Sequence, residues 1–142
     1  MQQPIEGLNE NHKRRLAVSM AMVDAAIARI LDLLDERTSP TMMTTWRRSL
    51  KHEEARELRD GLRALQPLTS EFAHKYGLEK HRRDLRRTIV AEVSQIWTIL
   101  ENCRPHKMKG MGPVTAEIEP MVDSDIQRLL EIVNNISQTI GV

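Results

Sequence analysis

The sequence predicts an all-α protein, arranged as an antiparallel four-helix bundle in up-down-up-down order. Four segments carry apolar residues at steps of three and four, which is the period of one helix face. Only four of the 142 residues are aromatic, namely Trp46, Phe72, Tyr76 and Trp97. Aliphatic side chains must therefore fill the core, which favours helices over strands. The segments are joined by short connections, which favour antiparallel neighbours.

The first helix is expected to begin at Glu10, with Asn9 or Asn11 as its cap. Residues 1–8 precede it as a flexible arm, because a proline and a glycine there discourage a helix. The apolar stripe of this helix comprises Leu16, Met20, Val23, Ile27, Ile30 and Leu34. Residues 38–40 (Thr-Ser-Pro) are then expected to end this helix. They also carry the start signal of a new helix, a hydroxyl cap before a proline.

The second helix is expected to carry a stripe from Trp46 to Leu65. Pro67 should end or kink it, since proline lacks an amide donor and clashes with the preceding turn. Residues 68–77 are expected to form a short extra helical turn. Gly77 is the natural left-handed exit residue of that turn.

The third helix is predicted over residues 78–104, and it is the longest uninterrupted pattern in the chain. Its stripe comprises Leu78, Leu85, Ile89, Val93, Ile96, Leu100 and Cys103. Residues 105–113 hold two glycines and two prolines, which predicts a loop. The last helix should begin at about Pro120 and end at Gly141.

Composition narrows the class of protein. The length fits a single domain over residues 9–142. A formal net charge of +1 does not mark a polyanion binder, and the single cysteine, Cys103, rules out an internal disulfide. We find no apolar run of the length a membrane span needs and no signal-peptide pattern at the N-terminus, so we expect a cytoplasmic protein with no membrane contact. We expect no cofactor.

Basic residues cluster where helices 1 and 3 are predicted to begin. The cluster residues are Lys13, Arg14, Arg15, Lys80, Arg82, Arg83, Arg86 and Arg87. Cations are disfavoured at helix N-termini, so this placement is a candidate anion site for phosphate, nucleic acid or an acidic protein. The alternative is a solvated surface balanced by acids such as Glu10 and Asp84. We favour that alternative, because charge runs on helices are usually solvated and the net charge is near zero. No aromatic residue is interleaved with the clusters, which argues against stacking on single-stranded nucleic acid.

One pair of residues has the spacing of metal ligands. Glu71 and His74 form a Glu-x-x-His motif, which places a carboxylate and an imidazole on one helix face. Di-metal helical bundles carry this motif twice, with further glutamates from two other helices. It occurs once here, so we expect a surface histidine and no metal.

A second pair has the spacing of a nuclease motif. Arg47 and His52 are separated by four residues, and on adjacent helical turns the two side chains could bind and cleave a phosphodiester. The pair resembles the Arg-x4-His motif of HEPN-type helical ribonucleases. The resemblance covers these two residues and implies RNA cleavage with Arg47 and His52 as the catalytic candidates.

We conclude that the chain is most consistent with a non-catalytic interaction or scaffold module. Heptad-like stripes suit self-association or docking of a helical protein partner, and a homodimer would cover apolar positions off the main stripes, such as Leu33 and Ile99. The alternatives are polyanion binding through the basic clusters and an HEPN-like ribonuclease. The partner and ligand are left open by the sequence.

Overall fold

The computed structural model describes residues 3–35 and 41–141, and in these residues the chain is all-helical, without strands. Its four α-helices are α1 (Glu10–Leu34), α2 (His52–Lys75), α3 (Leu85–Glu101) and α4 (Glu119–Thr139). The chain divides into two compact units, unit 1 (Met1–Arg82) and unit 2 (Arg83–Val142). The predicted all-α class is thus confirmed. The four-helix bundle order and the single domain stay predictions.

The start of α1 lies where the sequence placed it. Asn9 is the N-cap: its side-chain oxygen accepts a hydrogen bond from the His12 amide at 2.8 Å. In return, the His12 ring nitrogen accepts from the Asn9 amide at 3.4 Å, which completes a capping box. The predicted stop at residues 38–40 lies outside the described residues.

Helix α2 differs from its prediction at both ends. It begins at His52, so Trp46 lies in the connection that precedes it, and it continues through Pro67 to Lys75. Residues 68–75 are therefore the last turns of α2 and not a separate helical turn. The apolar pattern simply continues past the proline, and Thr69 donates from its hydroxyl to the Gln66 carbonyl at 2.7 Å beside it.

Helix α3 is shorter than predicted. It begins at Leu85, and residues 79–84 are not helical. Asp84 is the N-cap, since its carboxylate accepts from the Arg87 amide at 3.0 Å. A start at this residue leaves Lys80, His81 and Arg82 outside the helix, where they do not oppose the positive end of its dipole.

Unit 1 contains the helices α1 and α2, which pack against each other. Arg59, near the start of α2, donates to the carbonyl of Leu34 at the end of α1, at 3.2 Å. The buried core residues are Ile27 and Leu34. The N-terminal segment lies along the end of α2, because the Ile5 amide donates to the Lys75 carbonyl at 2.8 Å. The flexibility of residues 1–8 stays a prediction.

Unit 2 is a second such pair. Arg104, just after α3, contacts Asp123 near the start of α4, and Arg86 in the first turn of α3 reaches the Ile140 carbonyl just after α4. These contacts join both ends of α3 to α4. The predicted loop over residues 105–113 contains two short 3-10 turns, Pro105–Lys107 and Lys109–Met111. The buried apolar side chains are Val93, Leu130 and Val133, together with Pro105.

Two glycines confirm the predicted helix exits. Gly77 has a φ of 64° and Gly141 a φ of 75°, both in the left-handed region that side chains disfavour. Helix α4 begins one residue before the predicted Pro120. Across the described part of the chain, no helix combines the length and the apolar content that crossing a membrane requires. The cytoplasmic location stays a prediction.

Candidate functional site

Part of the predicted basic cluster converges in unit 1. Residues 77–82, which we call the strap, run beside the first turns of α1. Between them lies a cavity of about 540 Å³, the strap pocket. Its basic lining residues are Lys13 and Arg14 from α1 and Lys80, His81 and Arg82 from the strap. The structure thus brings together four of the eight residues predicted as an anion site, joined by a histidine.

The remaining basic candidates do not line the strap pocket. Arg15 lies on the exposed surface of α1. Arg83, Arg86 and Arg87 belong to unit 2, where Arg86 donates to the Ile140 carbonyl at 2.7 Å. A guanidinium in this position satisfies a carbonyl at the negative end of α4, which is a structural role.

The two nuclease candidates line another cavity of unit 1. This cavity has a volume of about 800 Å³ and lies where α1 and α2 meet their connection, so we call it the connection cavity. Arg47 and His52 both line it, but Arg47 lies in the non-helical connection and His52 is the first residue of α2. The two residues are therefore not on adjacent turns of one helix. The rest of the lining is mostly apolar and includes Trp46 and Leu58.

Two arginines hold the connection cavity in place, and sequence analysis missed both. Arg48 donates to the carbonyls of Leu33 and Asp35 at 3.2 and 3.3 Å, and Arg59 donates to that of Leu34. These carbonyls lie at the end of α1, where the helix dipole favours cations. One signal could have pointed to these arginines: the last turn of α1 contains no basic residue of its own. Its carbonyls are therefore available to basic residues from elsewhere in the chain.

The metal candidates Glu71 and His74 lie on one face of α2. They line a cavity of about 600 Å³ together with Gln3 and Ile5 of the N-terminal segment. Within residues 3–35 and 41–141, no three histidine, cysteine or acidic side chains gather closely enough to hold a metal ion. The metal site therefore has no third ligand in the part of the chain that the structure describes.

Unit 2 carries an ionic cluster that the sequence analysis did not identify. Arg104 donates to Glu101 and to Asp123, both at 3.0 Å, and to the side-chain oxygen of Gln127 at 2.7 Å. The hydrogen bond with Glu101, and then that with Asp123, raises the pKa of the Arg104 guanidinium above its usual value. This cluster joins the end of α3 to the start of α4, so its role is structural.

Each helix also presents apolar side chains that its own partner helix does not cover, and some of them, such as Ile30, Leu85 and Ile96, belong to the predicted stripes. We call these the outer stripes, and their side chains are 40–74% exposed. In unit 2 they comprise Leu85, Ile89, Ile96 and Ile99 on α3, and Leu129, Ile132 and Ile136 on α4. In unit 1 they comprise Met22, Ile30 and Leu33 on α1, and Leu58, Leu65 and Leu68 on α2. Steps of three, four or seven residues dominate them, as in helix–helix interfaces.

Comparison with known proteins finds no relative of this chain. No protein-family model matches the chain. Neither a curated protein nor a solved structure is significantly similar to it.

Proposed function

We propose that the chain is a non-catalytic interaction module that self-associates through the outer stripes of α3 and α4. The observation that carries the proposal is the exposure of these stripes: Ile96, Ile99 and Ile132 are 48%, 56% and 55% exposed. Large aliphatic side chains in a row are disfavoured in water, and a contiguous row of them usually marks an interface.

The small core of unit 2 supports the same conclusion. Of its described helical side chains, only Val93, Leu130 and Val133 are buried. Each fully buried aliphatic side chain stabilises a fold by roughly 1.5–3 kcal/mol, so three of them leave a helix pair marginal. Covering the outer stripes would enlarge the apolar core around the same two helices.

The partner that fits best is a second copy of the same stripe. The seven exposed apolar side chains of the outer stripes of α3 and α4 offer on the order of 700 Å² of apolar surface, close to the roughly 800 Å² per partner of a standard interface. A two-fold axis brings one surface against itself, so the interface needs no other protein. Two antiparallel helix pairs joined in this way form an antiparallel four-helix bundle with crossing angles near ~20°.

The test is the association state of the full chain, followed by analytical ultracentrifugation at micromolar concentration. We expect a dimer, which Ile132→Glu should convert to monomer, because a carboxylate buried in an apolar interface weakens association at least ~10-fold. The matched control is Asn135→Glu, which adds the same charge to an exposed position on the polar side of α4. It should leave the dimer intact.

Circular dichroism of both variants separates dissociation from unfolding. Ile132→Glu should keep its helical signal as a monomer, since residue 132 is exposed within the helix pair. A wild-type chain that is monomeric at all these concentrations overturns the proposal. Equal dissociation of the two variants also overturns it, because the stripe would then have no special role.

A further inference from the structure

The strap pocket is a cavity with cations from two separate segments of unit 1. Lys13 and Arg14 come from the second turn of α1, and Lys80 and Arg82 come from the strap. Because these segments lie more than sixty positions apart in the sequence, only the fold brings them together. A cavity of about 540 Å³ is in the range that binds small molecules.

The backbone fixes the start of the strap against the end of α2. The Leu78 amide donates to the Ala73 carbonyl at 2.8 Å, and Gly77 adopts its left-handed conformation, so the chain reverses at the end of α2. Pro4 packs on this turn: its Cβ lies 3.0 Å from the position that a Cβ on Gly77 would occupy. The Lys13 ammonium lies 3.8 Å from that same position, so this cation lies beside the start of the strap.

The cations of the strap pocket have no partners among the residues that the structure describes. In the described part of the chain, the side chains of Lys13, Arg14, Lys80 and Arg82 form no ion pair and no hydrogen bond. Two carboxylates, Glu10 and Glu79, also line the pocket, so the four cations exceed the acids by two. The positive end of the α1 dipole adds to this excess. Convergent cations repel one another, and a bound anion with several charges would offset that repulsion.

We propose that the strap pocket binds a compact group with two or more adjacent phosphates. Lysine and arginine are the usual phosphate ligands in proteins, and Arg14 and Arg82 can each donate two parallel hydrogen bonds. Apart from His81, the lining contains no aromatic side chain on which a base could stack. The pocket therefore recognises the phosphates and not the group attached to them.

The experiment is isothermal titration calorimetry of the full chain with inorganic pyrophosphate, at two salt concentrations. We expect saturable binding with a stoichiometry of one per chain, weakened by added salt because the contacts are ionic. Orthophosphate and sulfate should bind at least ~10-fold more weakly, since each presents fewer charges to the four cations. Binding should also raise the melting temperature, because a ligand that binds only the folded state stabilises it.

The variant Lys80→Glu with Arg82→Glu should reduce pyrophosphate affinity at least ~10-fold. Both residues are exposed and lie outside the helices, so the variant should keep the wild-type helical signal and melting temperature without ligand. The matched control is Arg56→Glu with Arg63→Glu, the same charge change on exposed positions of α2 that do not line the strap pocket. It should bind pyrophosphate as the wild type does.

A competition experiment distinguishes the sources of the phosphates. An oligonucleotide with a 5′-triphosphate should displace pyrophosphate, whereas the same oligonucleotide with a 5′-hydroxyl should not. Equal displacement by both would assign the pocket to a nucleic-acid backbone and overturn the proposal. No binding of pyrophosphate at millimolar concentration, or equal losses in the two charge variants, would overturn it as well.

Discussion

In both helix pairs, arginines bind near the connection between the two helices, but they bind different partners. In unit 2, Arg104 joins Glu101 to Asp123 with a side chain that is only 15% exposed, and Pro105 beside it is fully buried. In unit 1, Arg48 and Arg59 donate to backbone carbonyls at the end of α1, and a cavity of about 800 Å³ stays open next to them.

The difference separates cations that have partners within the fold from cations that do not. Unit 2 pairs Arg104 with acids of its own fold, which fixes the geometry of its connection. Among the described residues of unit 1, the cations of the strap pocket form no ion pair, although Glu10 and Glu79 lie close by. A fold that only needed stability would pair converging cations or expose them singly. We therefore assign a structural role to Arg104 and propose a ligand-binding role for the cations of the strap pocket.

The largest expected effect concerns the core of unit 2. Leu130 is 3% exposed and its neighbour Leu129 is 46% exposed. Leu130→Ala should lower the free energy of unfolding by about 2–5 kcal/mol, the usual cost of a cavity in a packed core. Leu129→Ala should cost less than about 1.5 kcal/mol within the helix pair. Chemical denaturation followed by circular dichroism measures both.

The Leu129 variant also reports on self-association. Because binding of a second copy adds to apparent stability, both variants are compared at one low protein concentration and again at a high one. Leu129→Ala should lose more stability relative to wild type at the high concentration, where the dimer forms. Equal costs for the two leucines at low concentration would contradict the packing of unit 2 described here.

The next effect tests the comparison of the two connections directly. Arg104→Gln removes two ion pairs and a hydrogen bond to Gln127, so it should lower the melting temperature clearly. Arg48→Gln removes two exposed hydrogen bonds to carbonyls and should cost only about 0.5–1 kcal/mol. Thermal melts of the two variants decide this. A larger fall in melting temperature for Arg48→Gln than for Arg104→Gln would contradict the structural role that we assign to Arg104.

Local signals in the sequence predicted the parts of the fold that depend on local interactions. Asn9 caps α1 because its side chain reaches an amide three residues on, and Gly77 exits α2 because glycine tolerates a positive φ. Two helix boundaries were missed. Pro67 does not end α2, which continues to Lys75, and the local Asp84 cap sets the start of α3 against a longer apolar pattern.

The sequence predicted residues of the candidate sites, but not which of these residues lie close together. The basic residues of the strap pocket were identified from charge alone, together with four others that lie elsewhere. Which of them meet depends on the chain reversal at Gly77 and on the non-helical strap, and neither follows from a helical pattern that was expected to begin at residue 78. The carbonyl contacts of Arg48 and Arg59 depend on tertiary geometry in the same way.

The smallest expected effect concerns the connection cavity. If the protein cleaved RNA as HEPN-type ribonucleases do, His52 would contribute about 10²–10⁴-fold to the rate. Because Arg47 lies in the connection and not on a helical turn next to His52, we expect His52→Ala to change RNA cleavage less than about 2-fold. The control is His74→Ala, an exposed histidine outside this cavity. A hundredfold loss in His52→Ala alone would make the connection cavity an active site and show that unit 1 uses its open cavities for catalysis as well as for binding.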